Sequence, residues 1–155
     1  MPRITCKTPS TGRAIPVIQL NVPAAATTIA EAPDFSVPDP SLTFTGRDPA
    51  DSARAIRPGE VFFLTPIYCR NKSTATATIT VQILTEAGVT LSLAVLAIPA
   101  GETLAIPVQG LSLLKRVLAG TNGDRLRVTA SLANVFDIIG TAEEKLSSEH
   151  IGVET

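Results

Sequence analysis

Metal binding or histidine-driven catalysis in this chain would have to run through one side chain. His150 is the only histidine, beside Glu149 and a little downstream of Glu143 and Glu144. An imidazole with carboxylates suits zinc and other first-row metals, but such a site needs several groups held at fixed positions. This stretch is polar, lies near the C-terminus and has no second histidine, so it reads as a solvated tail. A serine–histidine–acid triad meets the same obstacle, because its imidazole must be oriented by a rigidly held partner. A glycosidase pair of carboxylates could be drawn from Glu60, Glu86, Glu102 and Asp124. All four fall in predicted turns, where charge is ordinary composition. Gly120-Thr121-Asn122-Gly123-Asp124 has the glycines of a phosphate loop but lacks the following Lys-Ser/Thr. Asn71-Lys72-Ser73 fits the glycosylation acceptor pattern with no secretory signal before it, so the match is read as accidental. The expectation is a protein with no catalytic residues, no metal site and no cofactor.

The two cysteines, Cys6 and Cys69, lie far apart in sequence. They read as free thiols, with Cys69 a small buried hydrophobe; a disulfide between them is the alternative. Sugar binding is disfavoured by the lack of tryptophan and by a single tyrosine, Tyr68. The row Thr76, Thr78, Thr80 resembles one line of an ice-binding face, but such a face needs several aligned rows. One row reads as the wet side of a strand.

The elements that would hold these groups are strands. Ala77, Ile79, Val81 and Ile83 alternate with threonines and Gln82, the period-two pattern of a strand buried on one side. Val61 to Cys69 reads as a strand interrupted by Pro66, which suggests an edge or a bulge. Val89 to Ile98 alternates at first and then becomes apolar on both faces, so its later half is expected to be covered both by the core and by something else. Thr103 to Val108 is a further strand. Residues 111–118 fit a short helix capped by Gly120 or a strand, with the strand or an irregular crossing preferred. Asn122-Gly123-Asp124 is the strongest tight-turn signal. Arg125 to Leu132 alternates, and Val135 to Thr141 closes the series. Short strands with turns about every ten residues point to an antiparallel sandwich or barrel.

The front of the chain follows other rules. Ten of the twelve prolines lie in the first 66 residues, too many for helices. Yet Ile15 to Val22 carries enough branched apolar residues for a short strand or an adhesive extended piece, and Leu42 to Phe44 for another, where a disordered tail would have fewer apolar groups. The reading is a proline-stiffened arm over residues 1–57, a sandwich domain over 58–142 and a polar C-terminal tail over 143–155. The fold class expected is all-β, an antiparallel β-sandwich of jelly-roll or immunoglobulin-like type with an extended N-terminal arm. Candidate anchors in the arm are Ile15, Val17, Ile18, Leu20, Phe35, Leu42 and Phe44, and they would bury themselves on a neighbouring copy or on their own domain.

Composition limits the partners. Of 155 residues, 45% are apolar and only 17% charged, with a net charge of −1. That leaves no basic block for nucleic acid. The longest apolar run, Leu93 to Ile98, is too short to cross a bilayer, and no signal pattern opens the chain. These features predict a soluble protein made in a cytoplasm, without nucleic acid or membrane as partner. The low charge suggests that partners cover part of the surface.

From Pro58 to Glu144 the chain resembles small β-sandwich virion proteins of tailed bacteriophages. The pieces that carry the resemblance are Ile67-Tyr68-Cys69-Arg70-Asn71, Thr76 to Ile83, Leu91 to Ile98, Pro99-Ala100-Gly101-Glu102-Thr103-Leu104, Gly110-Leu111 and Gly123-Asp124-Arg125-Leu126-Arg127-Val128-Thr129-Ala130. The resemblance implies a structural subunit of the virion, made in the host cytoplasm, that stabilises the particle as a homo-oligomer in a decoration, cement, or neck and tail-collar position. Its partners would be copies of itself and the major capsid, portal or tail proteins. The alternative is a module on the virion that binds a host-surface receptor.

Overall fold

The threonine-rich alternation is a strand, Ala77–Leu84: Ala77, Ile79 and Val81 are buried, and Thr78, Thr80 and Gln82 lie half-buried on the other face. The computed structural model describes residues 13–32, 59–115 and 122–146. In these residues the protein is all-β and without helix, built of antiparallel sheets of β-sandwich-like class. The strands in chain order are β1 (Arg13–Gln19), β2 (Thr27–Glu31), β3 (Gly59–Phe62), β4 (Ile67–Asn71), β5 (Ala77–Leu84), β6 (Thr90–Ile98), β7 (Thr103–Ile106), β8 (Ser112–Lys115), β9 (Arg125–Ala130) and β10 (Phe136–Leu146).

The larger sheet is organised by β10. One side of it pairs with β1, from Arg13↔Glu144 to Gln19↔Ile138. Its other side pairs with β4 at Phe136 to Ile139 and with β3 at Glu143 to Leu146. β3 and β4 are therefore one line of chain interrupted at 63–66, where Pro66 removes a backbone donor. β8 and β7 continue outward from β3 and β4 in the same tandem way. Opposite the interruption stands Gly140, where an added Cβ would lie 2.7 Å from Ile67 Cβ and 3.0 Å from Ile67 Cα, so only glycine fits. The second sheet has the order β2-β9-β5-β6. The chain changes sheet at every described connection except the β5–β6 hairpin and the two tandem interruptions.

Branched aliphatics suit these pleated, half-buried surfaces. Val17, Val61, Ile67, Cys69, Leu113, Phe136 and Ile138 of the first sheet meet Ile79, Val81, Ile98, Leu126 and Val128 of the second in one core. Each such side chain contributes roughly 1.5–3 kcal/mol on burial.

Several expectations change in the folded chain. Part of the region read as an arm is sheet: β1 and β2 lie inside 1–57, and Val22, Ala30 and Ala32 join Val17 in the core. β10 runs to Leu146, four residues into the segment read as a tail, because Glu143 and Glu144 sit in register with Phe62 and Val61. Glu60 is in β3 rather than a turn, and its Oε1 accepts a 2.7 Å hydrogen bond from the Ser112 hydroxyl. The ambiguous 111–118 stretch contributes β8, while 116–118 lie outside the described residues. So do Cys6, Phe35, Leu42, Phe44 and His150.

Candidate interaction surface

Alternation in β1, β4 and β10 sends every second side chain away from the core. The register then sets these outward residues side by side. Ile18 faces Ile139, Ile139 faces Tyr68, and Tyr68 faces Ala105 across four adjacent strands. Ile18, Ile139 and Tyr68 are 58%, 55% and 51% exposed, and Leu20 just beyond β1 is 53% exposed. Opposite residues on one sheet face stand roughly 4.5–5.5 Å apart between Cβ atoms, so this is a contiguous apolar row rather than scattered side chains.

A polar row bounds it on one side, where Asp137 pairs with Arg70 and Arg70 with Thr103. Asp137 Oδ1 accepts the Asn21 N–H at 2.9 Å and lies 2.9 Å from the Lys72 ammonium. Lys72 also donates to Asn21 Oδ1 at 2.5 Å. Asn21 holds this position with a left-handed backbone, φ 55°, a conformation asparagine tolerates. The clasp ties the ends of β1 and β4 to the start of β10 and fixes the apolar row at that border.

Partial burial alone would raise the Asp137 carboxyl. The Asn21 N–H, the Lys72 ammonium and Arg70 outweigh it and hold the group below its ordinary value. A depressed carboxylate stabilises the fold fully above its unfolded-state pKa of about 3.9 and loses that contribution as pH falls through the folded value. Asp137→Asn is therefore expected to cost no more than about 1 kcal/mol at neutral pH. The gap in melting temperature from the parent should close as pH drops below about 4, which a melting series against pH will read. A gap that is constant with pH contradicts the charge-based account.

The four described arm anchors divide by face. Val17 is buried in the chain's own core, and Ile15 is half-buried against it. Ile18 and Leu20 are available. Tyr68 and Ile139 are not among the anchors that the sequence points to. Tyr68 was legible as outward, since it alternates with Ile67 and Cys69, but the joining of the row depends on register.

The groups considered for chemistry do not converge. No three of the described His, Cys, Asp and Glu residues could share a metal ion. The Asp124 carboxylate accepts the backbone N–H groups of Glu86 at 2.9 Å and Leu114 at 3.2 Å, a structural tie from the β5–β6 turn to β8. Burial, followed by the Asp137 charge, pushes the Cys69 thiol up to about 12, so at neutral pH it stays protonated and unreactive. Asn71 is fully buried and uses both amide hydrogens on backbone carbonyls, which leaves none for a sugar. No helix among the described residues is long and apolar enough to cross a membrane. Compared with known proteins, the chain matches no family model, no curated protein and no solved structure.

Proposed function

We propose that this chain is a jelly-roll structural subunit of a tailed-bacteriophage virion, working in a symmetric oligomer as a decoration, cement, or neck and tail-collar component. Counting each interrupted pair once, the first sheet runs β1, β10, β3/β4, β7/β8 and the second β2, β9, β5, β6. That is the order in which eight strands wound as two Greek keys fall into two facing sheets. A fold of this kind hosts many functions, so the reading is carried by the surface: the exposed row Ile18–Ile139–Tyr68, with Leu20 beside it. Such a row suits a face that copies of the chain, or capsid, portal or tail proteins, cover in the assembled particle. The resemblance of residues 58–144 to phage virion proteins supports the same reading.

Immuno-electron microscopy of source virus particles, with an antibody to this chain, tests it. Many copies should label the shell or the neck. Ile18→Lys with Ile139→Lys should keep the parent's circular dichroism, since both sites are exposed, and lose incorporation. Label absent from particles overturns the virion reading, and label confined to fibre tips replaces assembly with receptor binding.

A further inference from the structure

The two sheets have four outer edges, and three carry features that discourage further strand pairing. β1 contains Pro16 and Arg13. β2 is five residues long, shifts register between Thr28 and Ala30, and ends on Glu31. β7 and β8 are four residues each, separated by a break that includes Pro107, and β8 ends on Lys115. β6 differs. It is nine residues, TLSLAVLAI, with no charge, proline or glycine. β5 pairs along one side of it, and no described strand lies along the other. Its only irregularity is the register shift opposite Val81/Gln82, which leaves Ala94 to Ile98 as an unbroken run. Val95 is 64% exposed, and Leu91 and Val89 are about half exposed at 50% and 53%.

We propose that the β6 edge joins this chain to a second copy of itself by antiparallel strand addition about a two-fold axis at Leu96. In that register Leu96 faces its symmetry mate, Val95 faces Ala97 of the other copy, and two four-stranded sheets become one. An isologous contact brings the two copies of any residue near the axis close together, so a charge there would be repelled by its own mate. β6 carries none, which suits self-pairing; an acidic or basic partner strand would find nothing to neutralise. Main-chain hydrogen bonds supply the affinity in such a joint. One strand pair covers less than the roughly 800 Å² per partner of a standard stable interface. The joint is therefore weak by itself, and the dimer is expected to depend on concentration. The inference rests on the assembly reading above and names one joint within it.

Sedimentation of the full chain across a concentration series tests both. The parent should form a concentration-dependent dimer or larger even oligomer. Val95→Lys, at a well-exposed site, should keep the parent's circular dichroism and weaken association at least about tenfold, a change near 1.4 kcal/mol. Ile18→Lys with Ile139→Lys, on the other sheet, should leave the β6 joint intact. Association unaffected by Val95→Lys but abolished by the Ile18/Ile139 pair overturns the β6 joint and leaves the assembly reading standing. A parent that is monomeric at every concentration overturns both. A melting temperature lowered by Val95→Lys with unchanged sedimentation points to a segment of the same chain on that edge, and overturns the joint alone.

Discussion

Asn71→Asp is expected to destabilise the protein by several kcal/mol at neutral pH, although it exchanges one amide nitrogen for an oxygen. Asn71 has no exposed surface and meets its hydrogen-bonding capacity in full. Its Nδ2 donates to the carbonyls of Ala75 and Ile98, both at 2.8 Å, and its Oδ1 accepts from the Ser73 N–H at 2.9 Å and the Ser73 hydroxyl at 2.7 Å. One side chain at the end of β4 thereby closes the β4–β5 turn and reaches across to the last residue of β6, in the other sheet. A carboxylate keeps the Ser73 bonds but turns an oxygen toward two carbonyl oxygens and buries a charge. The Ile98 carbonyl loses this donor outright, while the Ala75 carbonyl keeps the Ser73 hydroxyl at 2.8 Å; a carbonyl left unpaired costs roughly 1–3 kcal/mol, and the buried charge adds to this. The total is on the order of half of a 5–15 kcal/mol domain stability. The urea midpoint should fall accordingly.

The pH dependence of that loss separates this cause from general disruption. Burial raises the pKa of the introduced carboxyl in the folded state, so the penalty is greatest above that raised value. It eases as pH falls through it, because the protonated acid can donate to one carbonyl again. A variant equally weak at pH 5 and pH 8, or one as stable as the parent, contradicts the account. Ser73→Ala, which removes the hydroxyl shared between Asn71 Oδ1 and the Ala75 carbonyl, should cost about 1 kcal/mol.

Local pattern made much of the fold legible and left its long-range part hidden. The alternations in β5 and β9 and the break at Pro66 follow from side-chain period and proline chemistry, which are properties of neighbours in sequence. The branched apolar residues of β1 mark it as a short strand or an extended piece, but not where it pairs: its partner is β10, with Arg13 opposite Glu144. Nothing within Arg13–Gln19 encodes that pairing, and its one proline, Pro16, favours an arm as much as an edge strand. The end of β10 was hidden for a different reason. Glu143, Glu144 and Lys145 read as tail by composition, yet charge forbids burial, not extension. Arg13 lies 3.7 Å from Glu144, and the Lys145 ammonium sits 4.8 Å from the centre of the Phe62 ring. The candidate surface divides in the same way: Ile18 and Leu20 were visible as apolar groups needing cover, while the row they form with Ile139 and Tyr68 exists only once four strands are in register.

Removing residues 1–57 is expected to abolish the fold. Were that region an appended strap, the remainder would melt as a cooperative domain near the parent's temperature. The sheets argue otherwise. The deletion strips β1 from the whole of its pairing with β10 and β2 from β9, baring a main-chain edge in each sheet. It takes Val17, Val22, Ala30 and Ala32 out of the core, two of them valines at 1% exposure or less. It also takes the turn that holds β10 in place, where the Val22 N–H donates to the Phe136 carbonyl at 2.9 Å and the Val22 carbonyl accepts from the Asn134 N–H at 2.9 Å. Losing two buried valines costs roughly 3–6 kcal/mol, before the newly wetted faces of Phe136, Ile138, Leu126 and Val128 are counted. The sum meets or exceeds the stability of an ordinary domain. The bared edges make the product prone to aggregation. Residues 58–155 alone should therefore lack a cooperative thermal transition and bind hydrophobic dyes. A peptide of residues 13–32 added in trans should restore order by strand addition, a response that an unfolded chain without the two vacated edges does not give. A sharp transition in the truncated chain at the parent's temperature contradicts the assignment of β1 and β2 to the fold.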